Sequence, residues 1–134
     1  MASASSPHLL DSSAIVAIIL QEPGWQLLRD RINQASGLSV SAVTLLETHL
    51  VLTSKTGIDS LAIIEAFISE IGAEVLPFTA LHWREAAQAF LRYGKGRAPA
   101  ALNFGDCISY ATARASGLPL LFKGDDFSRT DLGS

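Results

Sequence analysis

The sequence predicts an α/β protein, a three-layer α/β/α sandwich with a central, mainly parallel sheet. Short apolar segments alternate with longer segments of helical periodicity along the chain. Strands joined through helices run parallel, and helices then cover both faces of the sheet. The 134 residues are 49 % hydrophobic with a mean hydropathy of +0.31, which is enough apolar material for a sizeable core at the commonest size of one domain. A single domain over 1–134 is expected, with residues 1–6 as a flexible leader.

Pro7 to Leu10 is a short apolar strand, and Ser12 or Ser13 can cap a helix through Leu20 that stops before Pro23. Gly24 to Gln34 reads as a second helix and Gly37 to Val40 as a second strand. Ser41 caps a third helix to about Lys55, ended by Gly57. The spacing of Leu61, Ile64, Ile68 and Ile71 predicts a helix over Ile58 to Ile71, and Glu74 to Leu76 is a brief strand. Thr79 caps a helix to about Tyr93. A loop from Gly94 to Pro99 follows, then a helix capped by Asn103 and stopped by Gly117, and an apolar strand from Leu118 to Phe122.

Composition narrows the function. The longest apolar run, Ala14 to Leu20, falls far short of the roughly 20 residues that span a bilayer, and no cationic leader with a cleavage site begins the chain. A soluble, cytoplasmic protein with no membrane partner is expected. One cysteine, Cys107, and three histidines give no Cys/His metal pattern, so any metal should be a hard cation held by oxygen. A net charge of −3 argues against holding nucleic acid by bulk attraction. A metal-filled acidic site can still contact phosphate locally.

Acids just after a strand, or in the first turns of the next helix, are the informative ones in such a sheet, because ligand sites gather at the strands' carboxyl ends. Asp11, Asp106, Asp125 and Asp126 are so placed. Asp11 also reads as a helix N-cap, and Asp106, three residues after Asn103, as the acid of a capping box. Glu47 shares a helical face with Val43 and Leu50 and adjoins Leu46, which sets a carboxylate beside a buried stripe with no Lys or Arg within one turn. A Glu47 at the edge of that stripe, reaching solvent, is the alternative. If these acids converge, two charges 4 Å apart repel by about 4 kcal/mol at an effective dielectric of 20. A divalent cation relieves this, and the chemistry that follows is metal-assisted phosphodiester hydrolysis.

Four segments occur in an order that resembles PIN domains: Leu10-Asp11-Ser12-Ser13, Ser41-Ala42-Val43-Thr44-Leu45-Leu46-Glu47, Leu102-Asn103-Phe104-Gly105-Asp106-Cys107, and Leu121-Phe122-Lys123-Gly124-Asp125-Asp126-Phe127. More narrowly the chain resembles the VapC-type toxins of bacterial toxin–antitoxin pairs. The resemblance implies a PIN fold and endoribonuclease activity dependent on Mg2+, with Mn2+ able to substitute. It also implies an RNA substrate, a cognate VapB-type antitoxin and a homodimer. Asp11, Glu47 and Asp106 carry over as catalytic and metal-holding acids, and Asp125 or Asp126 as the fourth acid. Ser13 matches a small hydroxyl residue of the first motif, which helix capping explains equally well.

Lys95 and Arg97 precede Asp106 closely enough to contact an RNA phosphate, or are solvated loop charges. Trp25 and Trp83 are expected in core or dimer contacts rather than stacked on bases, Cys107 is expected to be a small core residue, and His8, His49 and His82 have no nucleophile to serve. Ile18, Ile19, Trp25, Leu28 and Ile32 either pack the core or present an apolar groove to an antitoxin. Two other readings compete: a PIN-fold binding module with weak or no catalysis, and a phosphatase or phosphotransfer receiver with Asp11 as nucleophile. A dehalogenase-like phosphatase would want a second Asp where Ser13 stands, and a receiver would want one after the third strand, where Pro77 stands.

Overall fold

The computed structural model describes residues 6–96 and 98–132. Most of the expected leader and Arg97 lie outside the described residues. The elements follow in the order β1 (His8–Leu10), α1 (Ser12–Ile19), α2 (Trp25–Gln34), β2 (Leu38–Ser41), α3 (Ala42–Thr56), α4 (Leu61–Ile71), β3 (Glu74–Leu76), α5 (Ala80–Tyr93), α6 (Phe104–Ser116) and β4 (Leu120–Leu121). The strands form one sheet in the order β3-β2-β1-β4. All neighbours are parallel, with Leu9 beside Ser39 on one side and Leu120 on the other, and Val40 beside Val75. The chain steps outward from β1 to β2 to β3 and returns to lay β4 on the opposite side of β1. The carboxyl ends of β1 and β4 therefore flank the point where strand order reverses, the place at which open α/β sheets form their sites.

Successive side chains on a strand point to opposite faces. On β4, Leu121 joins Leu10, Ile15, Ile18, Leu28, Ile32 and Phe67 in one core. Leu120 and the following Phe122 instead pack with Ala89, Cys107, Tyr110 and Phe127 in another. The sheet thus separates a core under α1, α2 and α4 from one under α5 and α6, which is the expected three-layer arrangement. Among the described residues no helix is long and apolar enough to cross a membrane. Ile18, Leu28 and Ile32 are buried, with Ile19 packed against their cluster, so the N-terminal helices use their apolar faces for the core.

One choice the sequence left open is decided and two expectations need correction. Asp11, read from the sequence as a possible cap, is the residue that caps α1, in place of Ser12 or Ser13. It leaves β1 in extended geometry, and its Oδ2 accepts from the Ser13 N–H at 3.0 Å. Helix α4 begins at Leu61 rather than Ile58, because Asp59 Oδ1 accepts from Leu61 N at 3.1 Å and Ser60 Oγ donates to His49 O at 3.3 Å, which turns 58–60 toward α3. The second correction concerns α3, whose buried side chains are Thr44, Thr48 and Leu52, while Leu46 and Leu50 are 57 % and 58 % exposed. Thr48 donates its hydroxyl to the Thr44 carbonyl at 2.8 Å. A threonine satisfied in this way by its own helix can present a methyl to the interior.

Candidate active site

Asp11 stands at the carboxyl end of the central strand and is almost fully buried. Its N–H donates to Leu121 O at 3.0 Å, which closes the ladder between β1 and β4. Its carboxylate is held at both oxygens. Oδ1 accepts from Ser109 Oγ at 2.5 Å, and Oδ2 accepts from Ser13 Oγ at 2.6 Å as well as from Ser13 N. Ser13 Oγ in turn accepts from Lys123 N at 2.9 Å. One hydroxyl therefore fixes Asp11 and pins the segment after β4 to the start of α1.

Asp106 lies in the first turn of α6. Its own N–H donates to Asn103 Oδ1 at 2.9 Å, and its Oδ2 accepts from Asn103 N at 3.1 Å, so the capping box forms as the sequence implied. The cap does not exhaust the residue. Burial pushes its carboxyl up to about 7, against the stabilising bond from Asn103 N, and the neighbouring Asp126 and Asp11 carboxyls add to the rise.

Glu47 projects from α3 over the start of α6. A Cβ placed on Gly105 would stand 1.7 Å from Glu47 Oε2 and 2.6 Å from Oε1, so the carboxylate occupies the volume a side chain at 105 would need. Glu47 Oε1 is buried without a hydrogen-bond partner, as is Thr44 Oγ1 one turn earlier. Burial raises the Glu47 pKa, and the charges of Asp11 and Asp126 raise it further, partly offset by a hydrogen bond with Ser12.

The structure thus brings Asp11, Glu47, Asp106 and Asp126 into one electrostatic neighbourhood. Of the adjacent pair, Asp126 is the acid whose carboxyl reaches Asp106. Asp125 is exposed, and its carbonyl accepts from Ser128 N and Oγ. Lys95 is exposed in the loop between α5 and α6, where its N–H donates to Leu102 O. Trp83 is 60 % exposed rather than packed in the core, whereas Cys107 is buried as expected. Sequence reading missed Ser109, Gly105 and Ser12. Ser109 sits three residues after Asp106, one turn along the same face, and that spacing was its available signal.

Among the described residues no three His, Cys, Asp or Glu side chains close into a cage that could hold a metal. The donor set nonetheless fits a hydrated hard cation, because Mg2+ takes few direct carboxylates and keeps several waters. The orphaned Glu47 Oε1 is the observation that favours the fit: a buried carboxylate oxygen with no donor is costly unless a proton or a cation meets it.

The family profile described as PIN domain matches residues 8–132. A VapC ribonuclease of Mycobacterium bovis is 46 % identical over 125 residues, covering 92 % of this chain and 90 % of that protein. Another, from Rhizobium meliloti, is 38 % identical over 139 residues, covering 92 % and 98 %. Among solved structures, the sarcin–ricin-loop-cleaving toxin VapC20 of Mycobacterium tuberculosis superposes with a TM-score of 0.73 at 20 % identity, over 90 % of this chain and 92 % of that one. A toxin–antitoxin complex from Klebsiella pneumoniae gives 0.68 at 15 % identity over 93 % of each chain. At those identities the structures show the shared fold. Fold and sequence together define the class: the chain belongs to the PIN-domain family, as a ribonuclease of the VapC type.

Proposed function

We propose that this ribonuclease is the toxin of a toxin–antitoxin pair, hydrolysing RNA phosphodiester bonds with a divalent cation, Mg2+ or Mn2+, held by Asp11, Glu47 and Asp106. The observation that carries this reading is the Glu47 carboxylate. It is buried over Gly105 with one oxygen unpartnered, and its nearest charged neighbours are further acids. When bound, a divalent cation orients phosphate, acidifies water and offsets charge on the attacking and leaving oxygens. The chain's own residues supply the frame. Ser13 and Ser109 lock the Asp11 carboxylate, Asn103 fixes one oxygen of Asp106, and Asp126 stands at the exposed rim where substrate arrives.

Two apolar surfaces support the partners this reading requires, an antitoxin of the VapB type and a second copy of the chain. One is a cleft of about 770 Å³ lined by Leu45, Leu46, Leu61, Ile64 and Val75. The other, of about 530 Å³, is lined by Phe78, Trp83 and Phe104. Exposed apolar patches of this kind mark association surfaces. The test is cleavage of total RNA by purified protein with Mg2+ or Mn2+ and with EDTA. Cleavage with metal, lost in EDTA and in Asp11→Asn, supports the reading. Cleavage unchanged by chelation or by the substitution defeats it.

A further inference from the structure

Beside the carboxylates lies a cleft of about 300 Å³, lined by Ser12, Ser13, Glu22, Lys55, Lys123 and Gly124 among others. Its cations are arranged unusually. Lys55 Nζ and Lys123 Nζ each bond a different oxygen of Glu22, both at 3.2 Å, so two ammoniums share one carboxylate and one positive charge is left over. Arg29 with Glu70 and Arg114 with Asp131, by contrast, are matched one to one. Lys55 is half exposed and Lys123 about a third exposed. Exposed pairs of this kind stabilise a fold little, so stability does not account for the arrangement.

The cleft shares a wall with the acids. Ser13 lines it and donates to Asp11, and Ser12 lines it and reaches Glu47. Lys123 is tied to the site a second time, through its backbone N–H on Ser13 Oγ. A polyanion crossing the carboxylates thus meets, one side chain away, the surplus positive charge of a protein whose net charge is −3.

We propose that the cleft between Ser12, Ser13, Lys55 and Lys123 is a second phosphate subsite, which holds a phosphodiester of the RNA flanking the one at the carboxylates. The assignment rests on the nuclease reading for the word flanking, and on the cleft alone for binding. Glu22 bridges the two ammoniums and partly neutralises them until phosphate oxygens take over their bonds.

The experiment pairs binding with cleavage, using the full chain. A labelled single-stranded oligoribonucleotide is titrated in EDTA at several salt concentrations, and cleavage of a long RNA is compared with that of a dinucleotide, which has no flanking phosphate. Lys55→Gln with Lys123→Gln, which keeps the backbone N–H of 123, is expected to weaken oligonucleotide binding about tenfold. It should also lower the salt slope by roughly 0.7, the share of one phosphate contact on a single strand. Dinucleotide cleavage should be unchanged, and Glu22→Gln should bind the oligonucleotide at least as tightly as the native chain. Unaltered binding and salt slope in the lysine variant would overturn the subsite, as would a loss in Glu22→Gln equal to that in the lysines. If the native chain cleaves neither substrate but binding falls with the lysines, the subsite stands and the nuclease reading fails.

Discussion

The Glu47 carboxylate fills the space that a side chain at Gly105 would occupy, with Oε2 1.7 Å from where that Cβ would lie. The conflict is with the mobile end of a long side chain, so the backbone need not move. Gly105→Ala should therefore fold, since alanine is favoured over glycine in a helix by about 1 kcal/mol, while Glu47 is displaced. A melting temperature no lower than that of the native chain, with cleavage reduced roughly 10- to 100-fold, is the expected pair of results. Retained cleavage would show that the position of Glu47 is not required.

Ser13 donates to Asp11 and accepts from Lys123 N with the same oxygen. Ser13→Ala leaves a buried carboxylate oxygen short of a donor and a backbone N–H short of an acceptor, at a cost of about 1–3 kcal/mol. Urea denaturation should record that loss, together with a fall in kcat. Ser109→Ala, which removes a single donor from Asp11 Oδ1, should cost less stability.

The Asp106 carboxyl is pushed up to about 7 from an ordinary 3.8, by burial first and then by Asp126 and Asp11. In metal-free protein the folded state thus binds more protons than the unfolded chain between about pH 4 and 7. Stability must fall as pH rises through that window. Denaturation in EDTA at pH 4.5 and 7.5 should show a loss of about 3 kcal/mol, reduced in Asp106→Asn to the part that the raised Glu47 carboxyl contributes. Added Mg2+ should restore the stability at pH 7.5 by offsetting the charge that the proton no longer cancels.

Burial pushes the Cys107 thiol up to about 11, with a smaller push from Asp106, and its side chain is almost fully enclosed. Only the thiolate is nucleophilic. Labelling by a thiol reagent at pH 8 is expected to be at least 100-fold slower in the folded chain than in urea, and Cys107→Ser should keep its cleavage activity.

Local backbone chemistry was the legible part of the fold. Ser41, Asn103, Gly57 and Gly117 mark helix ends by what their side chains or left-handed backbones do within a turn, and all four stand where expected. The buried face of α3 was not legible, because Thr44 and Thr48 read as polar until their hydroxyls are paired inside the helix or enclosed. Glu47 was singled out for a neighbouring apolar stripe that proves largely exposed, yet the carboxylate is confined all the same, by Gly105 on another helix. Contacts of that kind, and the bond between Ser109 and Asp11 across 98 positions, come from tertiary packing. Which of Asp125 and Asp126 faces Asp106 depends on the turn after Gly124, whose φ of 96° carries no trace in the acids themselves.

Titration of Mn2+ into the purified protein tests most directly whether the carboxylates form a metal site. The account predicts saturable binding that tightens as pH rises through 7 and weakens at least tenfold in both Glu47→Gln and Asp106→Asn. Equal affinity in the native chain and both variants would contradict it.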